Sequence, residues 1–233
     1  MLDAPNPIGG FLRPKNNENN KRNKMNEERY RKRKQYYKGD YLNGVPHGKG
    51  KMTDPKGSYY EGDFIDGKEH GKGKQYNISG FQYYEGDFVK GNRQGKGTFY
   101  FPEGGSYEGD FQNDWEHGKG KLIIMSDYTP DGIGEGYVYE GDFKDGGSNG
   151  WGIQTHNNGV RYEGEFDDAF PNGRGTITYP DGSSYEGEFD TGLENGNGTK
   201  TYPNGDKLEG EFRYGRPHGK GTLSTIDGET HIH

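Results

Sequence analysis

The residues best able to do chemistry recur along this chain instead of converging. A histidine precedes a Gly-Lys-Gly run at His47, His70, His117 and His218, and paired carboxylates recur as Glu61/Asp63, Glu85/Asp87, Glu140/Asp142 and Glu163/Glu165. Four histidines at like positions invite a metal ladder. Copies two strands apart would stand roughly 10 Å from one another, whereas zinc holds its ligands at about 2 Å, so the histidine reads as a polar position ahead of a glycine pair. The run Gly91-Asn92-Arg93-Gln94-Gly95-Lys96-Gly97-Thr98 imitates a phosphate loop. Its glycine spacing is one residue short, and Lys96 is followed by Gly97 where a Ser or Thr is needed. Two carboxylates act as acid and base only when their environments separate their pKa values; a pair repeated among lysines reads as a solvated face. Cys is absent, which removes thiolates, disulfides and cysteine zinc sites together. The expectation is no enzyme: no catalytic residue, no cofactor, no metal and no small-molecule substrate.

The elements that carry these residues follow from a repeat. An aromatic-Glu-Gly-Asp-Phe phrase opens at Tyr37, Tyr60, Tyr84, Tyr107, Tyr139, Tyr162, Tyr185 and, with the first ring replaced, Leu208, at steps of 23, 24, 23, 32, 23, 23 and 23 residues. A glycine follows two positions later in every copy, and a Gly-x-Gly pair closes each, as at Gly48/Gly50, Gly71/Gly73 and Gly219/Gly221. A seventh-position glycine is replaced only at Asp114 and Ala169. The period inside a copy is two, which is strand geometry. In Tyr60–Phe64 the rings and Gly62 share one face and Glu61 and Asp63 the other; pairing with Gly71–Lys74 then lays rings on bare glycine and brings Glu61 and Asp63 towards Lys72 and Lys74. Pro180-Asp181-Gly182, Pro203-Asn204-Gly205 and Asn158-Gly159 supply turns. Lone hairpins are marginal in water, so each must lean on its neighbours. At ~4.8 Å per strand, sixteen strands predict a rod or trough of roughly 75 Å.

These residues resemble the MORN-repeat family, whose unit reads Tyr-Glu-Gly-x-Phe and then Gly-x-x-x-Gly-x-Gly, over about four-fifths of the chain. The resemblance implies an all-β fold: an elongated, twisted, single-layer antiparallel sheet of tandem β-hairpins. It also implies a scaffold, as in radial spoke, axonemal and parasite cytoskeletal members, in membrane-tethering junction proteins, and in accessory modules of lipid kinases and methyltransferases. The sequence departs at Leu208, Asp114 and Ala169, and by about nine added residues between Leu122 and Val138. That insertion, around Ser126–Gly134, is either a tolerated surface addition or a partner-binding loop.

Composition divides the chain. Hydrophobic residues are only 26%, yet aromatics are 14% and glycines number 44; the rings argue against disorder and demand a thin aromatic layer. Residues 1–36 hold ten Lys/Arg and four Asp/Glu, a net of +6; the other 20 basic and 33 acidic residues give −13. The expected layout is a basic, Asn-rich N-terminal arm over 1–36 (extended or a short helix), eight repeats over 37–226 and a tail over 227–233. No secretory or lipidation signal and no apolar run of ~18 residues is present, so a soluble cytoplasmic protein is expected.

Partner-binding candidates are the apolar hook Phe11 and Leu12, the basic cluster Arg29, Arg31, Lys32, Arg33 and Lys34, and seven rings expected at the surface: Phe99, Tyr100, Phe101, Trp115, Trp151, Tyr179 and Tyr202. Rings and arginines are the residue types that most often anchor interfaces. The expected partners are proteins of a large cytoskeletal assembly, with the cilium or axoneme and its microtubule-associated components chosen by family analogy. A peripheral membrane tether binding anionic phospholipid is the second reading, because only the arm has the right sign. Nucleic acid ranks below both, for want of a base-reading fold. Open terminal strands would let copies pair end to end or edge to edge.

Overall fold

Alternation with period two produces strands and nothing else in the described residues. The computed structural model describes residues 36–125, 136–225 and 228–232; Phe11, Leu12, Arg29, Arg31, Lys32, Arg33 and Lys34 and the insertion residues 126–135 lie outside them. The chain divides into two compact units, one taking residues up to 102 with 110–115, the other 103–109 with 116 onward.

In the first unit, β1 (Tyr36–Leu42), β2 (Val45–Thr53), β3 (Tyr59–Ile65), β4 (Lys68–Tyr76), β5 (Gln82–Val89) and β6 (Asn92–Tyr100) pair antiparallel in chain order. Strands β7 (Gly105–Gln112) and β8 (Trp115–Ile124) are shared out between the units. The second unit continues from β8 through β9 (Tyr137–Lys144), β10 (Gly147–His156), β11 (Arg161–Asp167) and β12 (Phe170–Thr178). It ends with β13 (Ser184–Asp190), β14 (Leu193–Thr201), β15 (Lys207–Arg213), β16 (Arg216–Thr225) and β17 (Gly228–Ile232). Each again pairs with the next. The fold is all-β, a sheet of tandem antiparallel hairpins, as the repeat predicts.

The core is one layer of rings. Tyr60 lies against Gly73 so closely that a Cβ there would overlap the ring's Cε2–Cζ–Oη edge; Tyr84 treats Gly97, and Tyr162 treats Gly175, in the same way. A Phe then stands edge-on between two tyrosines, except Phe212, which has Tyr185 on one side and Leu208 in place of its own copy's tyrosine. In the first unit Phe64 meets Tyr37 at 5.0 Å and Tyr60 at 5.1 Å, and Phe88 meets Tyr60 at 4.9 Å and Tyr84 at 5.1 Å. In the second, Phe189 meets Tyr162 at 4.9 Å and Tyr185 at 5.3 Å, all near perpendicular. Such pairs contribute about 0.5–1.5 kcal/mol each beyond area burial. The hydroxyls of the opening tyrosines donate to backbone, as in Tyr60 Oη donating to the Asp63 carbonyl at 3.0 Å and the His70 carbonyl at 3.3 Å.

The first glycine of each Gly-x-Gly pair has a different duty. Gly48, Gly71, Gly95, Gly150, Gly173 and Gly196 all have positive φ, and register slips beside them, marking a bulge. The bulge turns the neighbouring amide to the polar face, where a carboxylate accepts it: Lys72 N–H to Asp63 at 3.2 Å, Lys96 N–H to Asp87 at 3.2 Å, Asn197 N–H to Glu188 at 3.0 Å. The slip also corrects the expected pairing at Asp63, while Glu61 faces Lys74 as expected. Asp63 faces His70 across its own hairpin, and the cations come from the preceding hairpin: Lys49 reaches Asp63 at 2.7 Å, Lys51 reaches Glu61 at 2.9 Å and Lys72 reaches Asp87 at 2.8 Å.

Two-residue turns join each hairpin with both residues at positive φ, as at Asn43-Gly44 and Asp66-Gly67. Asp114 (φ 74°) and Ala169 (φ 72°) hold the same left-handed geometry without being glycine. Asp114 is compensated, since its carboxylate accepts the Arg93 amide at 2.8 Å; Ala169 has no such side chain. Replacing Ala169 by Gly should therefore raise stability by about 0.5–1 kcal/mol, read as a higher midpoint in urea, while Asp114→Gly should lower it. Equal shifts for the two would contradict this account.

Candidate interaction surface

Because the rings are spent on self-support, the surface open to partners is the opposite face. In the first unit it is a lattice of neutralised charge: Lys49–Asp63, Lys51–Glu61, Lys72–Asp87, Lys74–Glu85 and Lys96–Asp110. Beside it Tyr59 and Tyr76 stack at 4.4 Å, with the Lys51 ammonium over the Tyr59 ring. In the second unit the same face opens into a trough of about 970 Å³ running over β10–β16, floored by glycine backbone such as Gly175, Gly187 and Gly198.

The seven rings expected at the surface divide. Trp115 (60%) and Trp151 (50%) are exposed, and Trp151 stands at the trough. Phe99, Tyr100, Phe101, Tyr179 and Tyr202 are half-buried, a correction with a packing cause. Phe99 lies opposite Tyr84 and touches Tyr83 and Phe101, with the Arg93 guanidinium 5.3 Å away. Tyr179 is held by Glu194, and burial with that carboxylate pushes its phenol up to about 12. The recurring histidines bring no three potential ligands together among the described residues. His70 Nδ1 instead sits 3.5 Å from the Lys90 amide of the next hairpin.

Seven segments match the MORN repeat model, at residues 37–59, 60–80, 84–106, 107–124, 162–184, 185–207 and 209–230. The chain belongs to the MORN-repeat family. The eighth MORN copy, opening at Tyr139, falls outside the matched segments, yet Tyr139 lies over Gly152 and the Trp151 amide meets Asp142 at 3.3 Å, as in its siblings. No curated protein matches the chain. Among solved structures it is similar to the SAS-4 (dCPAP) TCP domain of Drosophila melanogaster, in complex with a proline-rich motif of Ana2 (dSTIL). The two are 13% identical over 80% of this chain and 84% of that one, with a TM-score of 0.38. It is also similar to the TCP10 domain of Danio rerio CPAP in complex with a STIL peptide, 16% identical over 85% and 97%, with a TM-score of 0.23. At these scores neither likeness speaks to what this chain binds.

One position of the MORN unit was silent in the sequence. Nine residues after the opening ring stand Pro46, Glu69, Arg93, Ser148, Pro171, Glu194 and Pro217, opposite the buried Phe or Tyr of the hairpin. Glu194 and Arg93 each meet an oppositely charged side chain. Glu194 is buried and meets Lys200 at 3.0 Å. Arg93 meets Asp114 at 3.4 Å and sits beside the Tyr84 and Phe111 rings. The irregular alternation of Pro, Glu and Arg was the signal available, and it carries no period.

Glu69 is the least comfortable of these. Burial, and then the nearby Asp114 carboxylate, push its carboxyl up to about 8, against the opposing pull of the Gln75 amide and Arg93. The folded chain thus keeps a proton that the unfolded chain releases near 4.5. Stability should fall as pH rises from about 4.5 to about 8 and level off above. Urea midpoints measured across that window should show this slope, and Glu69→Gln should flatten it. A slope unchanged in the variant would refute the assignment.

Proposed function

We propose that this chain is a non-enzymatic scaffold, a protein-interaction subunit of a large cytoskeletal assembly, with the cilium or axoneme as its setting. The observation that carries this reading is that the aromatic layer is consumed in holding hairpin to hairpin. What remains for partners is a broad polar face patterned by repetition, a surface suited to an extended macromolecule and ill suited to enclosing a small substrate. MORN membership supports the scaffold role; the ciliary setting rests on resemblance to radial spoke members alone. In cell fractionation the protein should sediment with detergent-insoluble cytoskeleton, and cross-links from native complexes should map to the polar face, to Trp115 and Trp151, and to the basic cluster at Arg29–Lys34. A wholly soluble protein without cross-linked partners would overturn it.

The basic charge of residues 1–36 favours one other reading, a peripheral membrane tether, which the −13 of the remaining chain opposes. Liposome flotation with anionic vesicles separates the two. Binding that persists without residues 1–36 would favour the tether.

A further inference from the structure

The polar face carries one row whose partners change between the units. In the first unit the row runs Lys51, Glu61, Lys74, Glu85 in register across neighbouring strands, and ion pairs close it at 2.9 Å. At the start of the second, Lys121 still pairs with Glu140. Threonine takes the lysine's place once in the first unit, where Thr98 faces Glu85, and without exception from β11 onward. Glu163 faces Thr176, Thr176 faces Glu186, Glu186 faces Thr199, and Thr199 faces Glu209. Glu163 keeps a cation through Arg161 at 2.6 Å. Glu186 and Glu209 are exposed, and among the described residues neither has an ion-pair partner. The three carboxylates line the trough, with the exposed Trp151 at its rim.

We infer that this trough docks an extended partner segment in the polyproline II conformation with Lys or Arg at every third position. The inference deepens the scaffold reading and rests on it. Carboxylates on alternate strands recur every ~9.6 Å. A polyproline II chain rises 3.1 Å per residue with three residues per turn, so every third side chain returns to the same side after about 9.3 Å. A β-strand cannot match the row, because its third residue points to the opposite face. Cations at three successive turns therefore fall on Glu163, Glu186 and Glu209. Polyproline II backbone makes no hydrogen bonds of its own, and the Thr176 and Thr199 hydroxyls between the carboxylates are placed to bond it. Trp151 supplies the aromatic surface on which such helices characteristically rest. The trough is not uniformly acidic: Arg174 and Lys220 border it, and Arg174 stands opposite Glu188 in the adjacent row. Those cations set the lateral register, since a segment displaced sideways meets like charge.

The test titrates two fluorescent peptides of identical composition onto the full-length protein: four Lys-Pro-Pro repeats, and the same residues with all lysines grouped at one end. The repeat peptide should bind at least about tenfold more tightly than the grouped one. The double variant Glu186→Gln/Glu209→Gln should erase that preference while its thermal midpoint stays that of the parent, because neither side chain has an internal partner to lose. Trp151→Ala should weaken the repeat peptide without touching the preference. Equal binding of both peptides, an undiminished preference in the double variant, or no binding of the repeat peptide would each overturn the inference. If cross-linked partners still map elsewhere on the polar face, the trough assignment falls and the scaffold reading stands; if no partners are found at all, that reading falls too.

Discussion

A tyrosine ring resting on a glycine with no room for one more carbon is the contact from which the remainder follows. It explains how a chain with so little aliphatic content folds at all. Except where Leu208 stands for the first ring, each hairpin from the second onward contributes one ring to cover its own second strand and one to wedge against the previous hairpin's ring. Burial is thus shared between neighbours, and no single copy could achieve it alone. The glycines are fixed by that contact and by the bulge beside it, two separate demands that the Gly-x-Gly pair meets one residue each. The carboxylate three residues after the ring on the same strand is fixed in turn, since the bulge leaves an amide pointing outward that something must accept.

The consequence for function is a division of labour between faces. The ring face is structural, and the backbone carbonyls of its irregular positions, Glu69, Arg93, Ser148 and Glu194, each accept a turn amide of the next hairpin. The polar face is free to vary, and it does: Lys51, Lys74 and Lys121 answer glutamate in some copies, Thr98, Thr176 and Thr199 in others. Exposed ion pairs of the first kind contribute little to stability, so losing them costs the fold little while changing what the surface offers. A repeat that keeps its rings and exchanges its polar row can alter its partner without altering its architecture.

Much of this was legible in the residues. The step of 23, the alternation within Tyr60–Phe64 and the pairing of rings with glycines all follow from strand geometry and are found. Three features were not legible. The bulge at Gly71 shifts the register by two and hands Asp63 to Lys49 in place of its own hairpin's lysines, and no residue type announces which side of a glycine the slip falls on. Asp114 and Ala169 turn as glycine does, because the turn amide is also held by a carbonyl of the preceding hairpin: Asp114 N–H meets the Arg93 carbonyl at 3.1 Å and Ala169 N–H the Ser148 carbonyl at 3.0 Å. Phe99, Tyr179 and Tyr202 lie outside the repeating phrase and so read as free, yet they sit at strand ends where neighbouring side chains close over them.

The central contact is tested most directly by a double-mutant cycle on Tyr185 and Gly198, whose added Cβ would overlap the Cε2–Cζ–Oη edge of the Tyr185 ring. Unfolding free energies should show Gly198→Ala costing on the order of 3 kcal/mol in the parent and less than half of that when Tyr185 is already Leu, the residue the chain itself uses at position 208. Strictly additive costs would mean that the ring does not rest on the glycine, and the account of this fold would be wrong.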